Sequence, residues 1–174
     1  RLLGNRQRMN IQYLFHDGDI IDDEPNIQEW EQADAAYKKL DVAKFPYGVL
    51  AGNHDVGHLN GDYSNYTQYF GENRYLSNPW YGGSYKNNRG HYDLISVDGI
   101  DFIMLYMGWG IGDEEIQWMN DVLAQYPERK AILNFHEYLL ASGGLGEEPQ
   151  RIYDEVVSKN ENVCMVLSGH YHNA

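Results

Sequence analysis

Short apolar runs alternate with stretches of helical period along this chain. Residues 11–15 (Ile-Gln-Tyr-Leu-Phe) are mostly apolar and predict a strand, followed by an acidic loop. Ile27, Trp30, Ala33, Tyr37 and Leu40 recur every three or four positions, and Asn26 with Glu29 forms a capping-box-like start, so a helix is expected there. Residues 47–50 predict a second strand. Residues 92–97 and 101–107 read as a β-hairpin turning at Asp98-Gly99. Ile116, Met119, Leu123 and Tyr126 mark a further helix, capped near Asp113 and stopped by Pro127. Residues 131–135 predict a strand, Pro149 opens a helix with Ile152, Val156 and Val157 inward, and residues 163–167 are the last strand. Only residues 56–90, rich in Gly, Asn and Tyr, show no clear period; they read as a long loop or subdomain. Strand and helix alternate, which predicts an α/β protein with at least one largely parallel sheet.

No repeat or linker interrupts the 174 residues, so a single domain over 1–174 is expected. No apolar run approaches the ~18 residues of a membrane-spanning helix. The net charge of −13 argues against non-specific nucleic-acid binding, which needs a basic face. One cysteine, Cys164, cannot form an intrachain disulfide or a multi-cysteine zinc site. Its place in an apolar run suggests a small buried hydrophobe.

The candidate chemistry follows the strands. Residues 11–15 run into His16-Asp17-Gly18-Asp19-Ile20-Ile21-Asp22, and residues 47–50 into Gly52-Asn53-His54-Asp55. Residues 131–135 end at His136-Glu137, and residues 163–167 at Gly169-His170-Tyr171-His172. In α/β sheets ligands bind at the carboxyl ends of strands, so four tips carrying Asp, Asn and His can converge. Mixed nitrogen and oxygen donors without a thiolate suit Mn, Fe or Zn.

These motifs resemble the calcineurin-like metallophosphoesterase superfamily. Its Gly-Asp-x-x-Asp, Gly-Asn-His-Asp/Glu, lone His after a strand and Gly-His-x-His motifs match residues 18–22, 52–55, 136 and 169–172 in order. The resemblance implies a four-layer α/β/β/α sandwich, here expected to lack its first strand and C-terminal strands. It also implies two divalent or trivalent transition-metal ions (Mn, Fe or Zn) and a hydroxide that attacks the phosphorus of a phosphate monoester or diester. Asp19 would bridge the ions, Asn53, His136 and His170 would complete one, and His172 would bind the other. His54 would face the substrate as general acid or charge stabiliser, with Asp55 orienting its ring and Asp22 holding the loop. The family's first motif, Asp-x-His, does not occur before residue 18. The chain is therefore expected to be a piece of a longer protein with other domains, holding at most one metal tightly and weakly active alone.

Other readings remain open or fail. A calcium loop over Asp17–Asp22 fails at Ile21, Asp22 and Gln28. The purple-acid-phosphatase branch would place a Tyr ligand where Asp22 stands. Neither a Gly-x-Ser-x-Gly elbow nor a phosphate-binding Gly-x-x-x-x-Gly-Lys-Ser/Thr loop is present. A cell-surface binding module on a phosphoesterase scaffold is the alternative of another class. In residues 80–91, Trp80, Tyr81 and Arg89 are candidates for contacting the ester, against plain hairpin packing. His58 is open between lining the cleft and solvation, and His16 is expected to pack. Few lysines, many Tyr, Asn and Gly, and one Cys resemble secreted bacterial members, so an extracellular or cell-envelope location is expected.

Overall fold

The computed structural model describes residues 2–58 and 61–171. The elements in order are α1 (Leu2–Asn5), β1 (Leu14–His16), α2 (Ile27–Val42), β2 (Tyr47–Val49), α3 (Ser64–Phe70), β3 (Tyr81–Tyr85), β4 (Gly90–Val97), β5 (Ile100–Met107), α4 (Asp113–Gln125), β6 (Lys130–Phe135), α5 (Glu147–Glu155) and β7 (Val163–Ser168). β1 and β2 form a parallel pair; β3 to β7 form a second sheet in sequence order. In that sheet β3, β4 and β5 are antiparallel neighbours, whereas β5, β6 and β7 run parallel.

The period-2 pattern of β5 shows how the layers assemble. Ile103, Leu105 and Met107 face one way, joining Ile116, Met119 and Leu123 of α4, Ile152 of α5 and Leu133 and Phe135 of β6. Phe102, Met104 and Tyr106 face the other way and meet Tyr13, Phe15 and Leu50 beside the small sheet. On the small sheet's outer face, Tyr47 and Val49 pack against Trp30 and Leu40 of α2 and Tyr66 and Phe70 of α3. The result is helices, small sheet, large sheet, helices: the four-layer α/β/β/α sandwich. Each fully buried Leu, Ile or Phe contributes about 1.5–3 kcal/mol to this stack.

Helix starts follow local chemistry. Asn26 accepts the Gln28 N–H at 3.2 Å, and Glu29 reaches back to the amides of Asp22 and Asp23 at 2.8 and 3.0 Å. Glu115 reaches back to the Gly112 amide at 3.0 Å, which makes Gly112 the N-cap of α4.

The structure corrects three sequence expectations. Residues 56–90 are not a plain loop: α3 and β3 lie within them, and Tyr66, Phe70 and Tyr75 are buried. The hairpin's first strand begins at Gly90, two residues early, because Lys86, Asn87 and Asn88 all adopt left-handed backbone and close a tight β3–β4 turn. Cys164 is exposed rather than buried, since β7 forms an edge of the sheet among the described residues.

Candidate active site

Four strand tips bring their side chains to one end of the sandwich. After β1, Gly18 (φ 92°) and Asp19 (φ 53°) are consecutive left-handed residues, which turn the chain so that the Asp19 carboxylate lies over the tips. After β2, Leu50 and Ala51 are buried and Asn53 precedes a single 3₁₀ turn, His54–Val56. His136 follows β6 directly, and His170 (φ 61°) follows Ser168-Gly169 at the end of β7. Non-glycine residues held left-handed store strain of order 1–3 kcal/mol and concentrate at functional sites. Gly52 has its own reason: a Cβ there would collide with the Asp19 carboxylate and lie 2.8 Å from His136 Cε1.

The buried His136 ring organises the site. Its Nδ1 donates to the Asp17 carbonyl at 2.6 Å, which fixes the tautomer and leaves the Nε2 lone pair pointing at the other tips. That Nε2 lies 3.0 Å from Asn53 Oδ1, 3.1 Å from His170 Nδ1 and 3.3 Å from Asp19 Oδ2. The facing atoms of Asp19, His136 and His170 all lie within 4.8 Å of one another. Among these facing atoms His136 Nε2, Asn53 Oδ1 and Asp19 Oδ2 all carry lone pairs, so little inside the cluster offers them a proton. Such a set is satisfied by a cation, and donors about 3–3.5 Å apart suit a first-row metal bound at roughly 2.0–2.2 Å. The same oxygens also draw positive charge onto His136 itself. Burial disfavours charge on His136, but Asp19 and the Asp17 carbonyl outweigh it and raise its pKa. Burial likewise pushes Asp19 up, and the His136 ring and the His54 amide more than reverse this, holding Asp19 ionised below its ordinary value.

His54 sits beside these groups and outside them. Its amide donates to Asp19 Oδ1 at 3.2 Å, and its Nδ1 donates to the Asp22 carbonyl at 2.7 Å, with the Asp22 carboxylate 3.3 Å away. Nε2 is then the ring atom left for a ligand. A cleft of about 540 Å³ opens here, lined by Asp19, Ile20, Ile21, Asp22, Glu29, Gln32, Ala33 and His54.

The expectation that Asp55 orients His54 is corrected. Asp55 is fully buried and its carboxylate accepts the amides of Ile21 (3.0 Å) and Gly52 (2.8 Å), tying the first two tip loops together. Burial pushes its pKa up to about 6 despite those bonds. Asp22 performs the orienting role instead, through its carbonyl.

Trp80 and Tyr81 are also corrected. They lie at the start of β3, on the edge strand away from β7, and Tyr81 aligns through Asp93 with Met104, three residues back from the tip of β5. Tyr81 instead donates to Asn88 Oδ1 at 2.9 Å and stacks against Tyr75 and His91. Arg89 is at the correct end but is spent internally: Nη2 donates to the Gly110 carbonyl at 2.6 Å, beside Glu115 and over the Tyr63 ring. His16 packs edge-on against Tyr37 and is not among the converging groups. His58 bonds Asn53. His172 lies outside the described residues.

One site residue escaped sequence reasoning. Trp109, just past β5, lies 5.8 Å from the His136 ring and 5.4 Å from the His170 ring. Its amide donates to the Ala51 carbonyl, and its carbonyl accepts from the Tyr63 hydroxyl. The available signal was position: a fifth strand tip marked by Gly108, with an aromatic where the others carry ligand types.

A sandwich of two sheets with Asp, Asn and His at its strand tips defines a phosphoesterase scaffold. The family model for calcineurin-like phosphoesterases matches residues 1–174, and the chain belongs to that family of hydrolases. Two relatives place it further. An uncharacterized protein of Bacillus subtilis (strain 168), YvnB, is 58% identical over 170 residues, covering 98% of this chain and 13% of that protein. A probable glycerophosphodiester phosphodiesterase of Arcobacter nitrofigilis, GpdQ, is 27% identical over 170 residues, covering 89% of this chain and 54% of that protein. The chain thus spans little more than a tenth of one relative's length and about half of the other's.

Proposed function

We propose that this chain is the catalytic region of a metal-dependent phosphoesterase, with Asp19, Asn53, His136 and His170 holding one transition-metal ion. The observation that carries this reading is the convergence of lone pairs on His136 Nε2, where Asp19 and Asn53 present oxygens and the Nδ1–H is already committed to Asp17. Asp19 and His172 would take part in holding a second ion. Mn, Fe or Zn suits the donor types. Bound there, metal supplies charge neutralisation at the phosphoryl oxygens and a nucleophile at neutral pH.

The chain's own residues do the rest. Asp19 and the three neutral donors present one negative charge to a cationic centre, so a phosphate ester finds net attraction in a protein of charge −13. His54, its Nδ1 fixed by the Asp22 carbonyl, turns Nε2 toward the departing ester oxygen as general acid or charge stabiliser. Trp109 walls the histidine side of the site. The ester's alcohol portion then lies in the cleft toward Gln32 and Ala33.

The similarity to a protein named a probable glycerophosphodiester phosphodiesterase supports a diester as substrate. The test is hydrolysis of bis-p-nitrophenyl phosphate and p-nitrophenyl phosphate by the full-length protein, before and after chelation and on returning Mn²⁺ or Zn²⁺. Chelator-sensitive turnover restored by metal is expected. Metal uptake with no turnover on either ester would instead favour a surface binding module. Few cations and one cysteine support an extracellular or envelope location, which cell fractionation tests. No helix among the described residues is long and apolar enough to cross a membrane.

A further inference from the structure

Asn53 joins the site through its oxygen, and an amide can turn either end inward. Facing the His136 Nε2 lone pair, an isolated Asn would gain by turning its NH₂ there, since that end donates and the lone pair accepts. Turned so, it would present two hydrogens to the centre and could not be a ligand. Something must hold the oxygen inward.

His58 stands on the other side of Asn53. Its Nδ1 lies 2.8 Å from Asn53 Nδ2, and because that nitrogen only donates, Nδ1 is the acceptor. Its backbone amide also donates to the Asn53 carbonyl at 2.7 Å, so His58 grips Asn53 twice. The chain reaches this position through two successive left-handed residues, Gly57 (φ 68°) and His58 (φ 53°). The His58 ring also packs against that of His54, 4.5 Å away.

We infer that His58 is a positioning residue: by taking the Asn53 NH₂ it fixes the amide with its oxygen toward His136 and so makes Asn53 a metal ligand. This rests on the proposed metal site. Outer-shell partners of this kind change metal affinity by about 10–100-fold when removed.

Two substitutions separate the acceptor from the backbone. Glycine and asparagine both accept left-handed φ, but only asparagine places an acceptor oxygen where Nδ1 stood. Mn²⁺ is titrated into the full-length protein and the free ion is followed by its electron paramagnetic resonance signal. His58→Asn is expected to bind within about threefold of wild type and His58→Gly roughly 10–100-fold more weakly. The metal-free melting temperatures of the two variants check that both fold. A second measurement places His58→Gly on an Asn53→Asp background. A carboxylate has no NH₂ end to misplace, so the loss is expected to shrink to within about threefold. Equal binding by His58→Gly and wild type overturns the inference, as does equal weakening by both His58 variants or an undiminished loss on the Asp background. A wild-type protein that takes up no Mn²⁺ overturns this inference and the metal site together.

Discussion

Two polar clusters, one buried between the sheets and one half-open at the strand tips, meet the cost of desolvation in opposite ways. Between the sheets, the Tyr13 hydroxyl donates to Asp93 Oδ2 at 2.5 Å, and His91 lies flat on Tyr106 at 4.4 Å. Burial pushes Asp93 up to about 8, against the bond from Tyr13, and pushes His91 down to about 3. At neutral pH both groups are therefore uncharged. At the strand tips Asp19 stays ionised and lone pairs face one another across left-handed backbone. The interior cluster neutralises itself, whereas the tips keep a charge that calls for a cation. Burial alone does not mark a site, since the interior cluster leaves Asp93 Oδ1, His91 Nδ1 and the Tyr106 hydroxyl without partners; a kept charge among converging donors does.

That contrast breaks most readily at His136. His136→Ala removes the organising group of the proposed metal site, so metal affinity should fall by more than about a hundredfold, beyond what outer-shell changes give, with hydrolysis dropping to background. Elemental analysis after gel filtration checks it; a metal-replete variant would remove His136 from the centre. Next in size, His54→Ala should lower kcat by about 10²–10⁴ while metal content is unchanged, because His54 lies beside the proposed ligands and not among them. Parallel loss of metal would make His54 a ligand. Gly52→Ala forces a Cβ onto Asp19 and His136 and should cost about 1–3 kcal/mol. At this size that is roughly 2–4 °C of Tm per kcal/mol, and it should loosen metal as well.

The interior cluster gives a pH signature and the smallest effect. Asp93 binds its proton more tightly folded than unfolded, so the folded state holds the extra proton between the ordinary carboxylate pKa and about 8. Its contribution is complete at low pH, and stability falls as pH rises through that window. Asp93→Asn should flatten the fall, melting near wild type at pH 5 and above it at pH 9. A pH profile unchanged by the substitution would show that Asp93 is already ionised. Trp80→Ala, at the start of the far edge strand, should leave the ratio of kcat/KM between monoester and diester unchanged.

Much of this was legible in the sequence, for a physical reason. The tips could be read because a buried strand must end, and the residue types that follow it are free of packing demands; Asp19, Asn53, His136 and His170 stand out there. The four layers required the resemblance, because alternation alone does not say which face of β5 meets which partner. What stayed hidden depended on direction. Asp55 neighbours His54 in sequence, but one 3₁₀ turn sends its carboxylate inward to the Ile21 and Gly52 amides. Cys164 lies in an apolar run that reads the same for a central or an edge strand. Residues 64–70 make under two turns, and their Tyr66 and Phe70 anchors are too few to register as a period.

The bond from His136 Nδ1 to the Asp17 carbonyl spans the seam between the two sheets. The proposed ligands straddle the same seam: Asp19 and Asn53 follow the small sheet, and His136 and His170 the large one. A bound ion would then act as a reversible rivet joining segments from opposite ends of the chain. The sandwich should become harder to pull apart as free metal rises, by RT ln(1 + [M]/Kd). Metal supply would thereby set the lifetime of the folded protein along with its turnover.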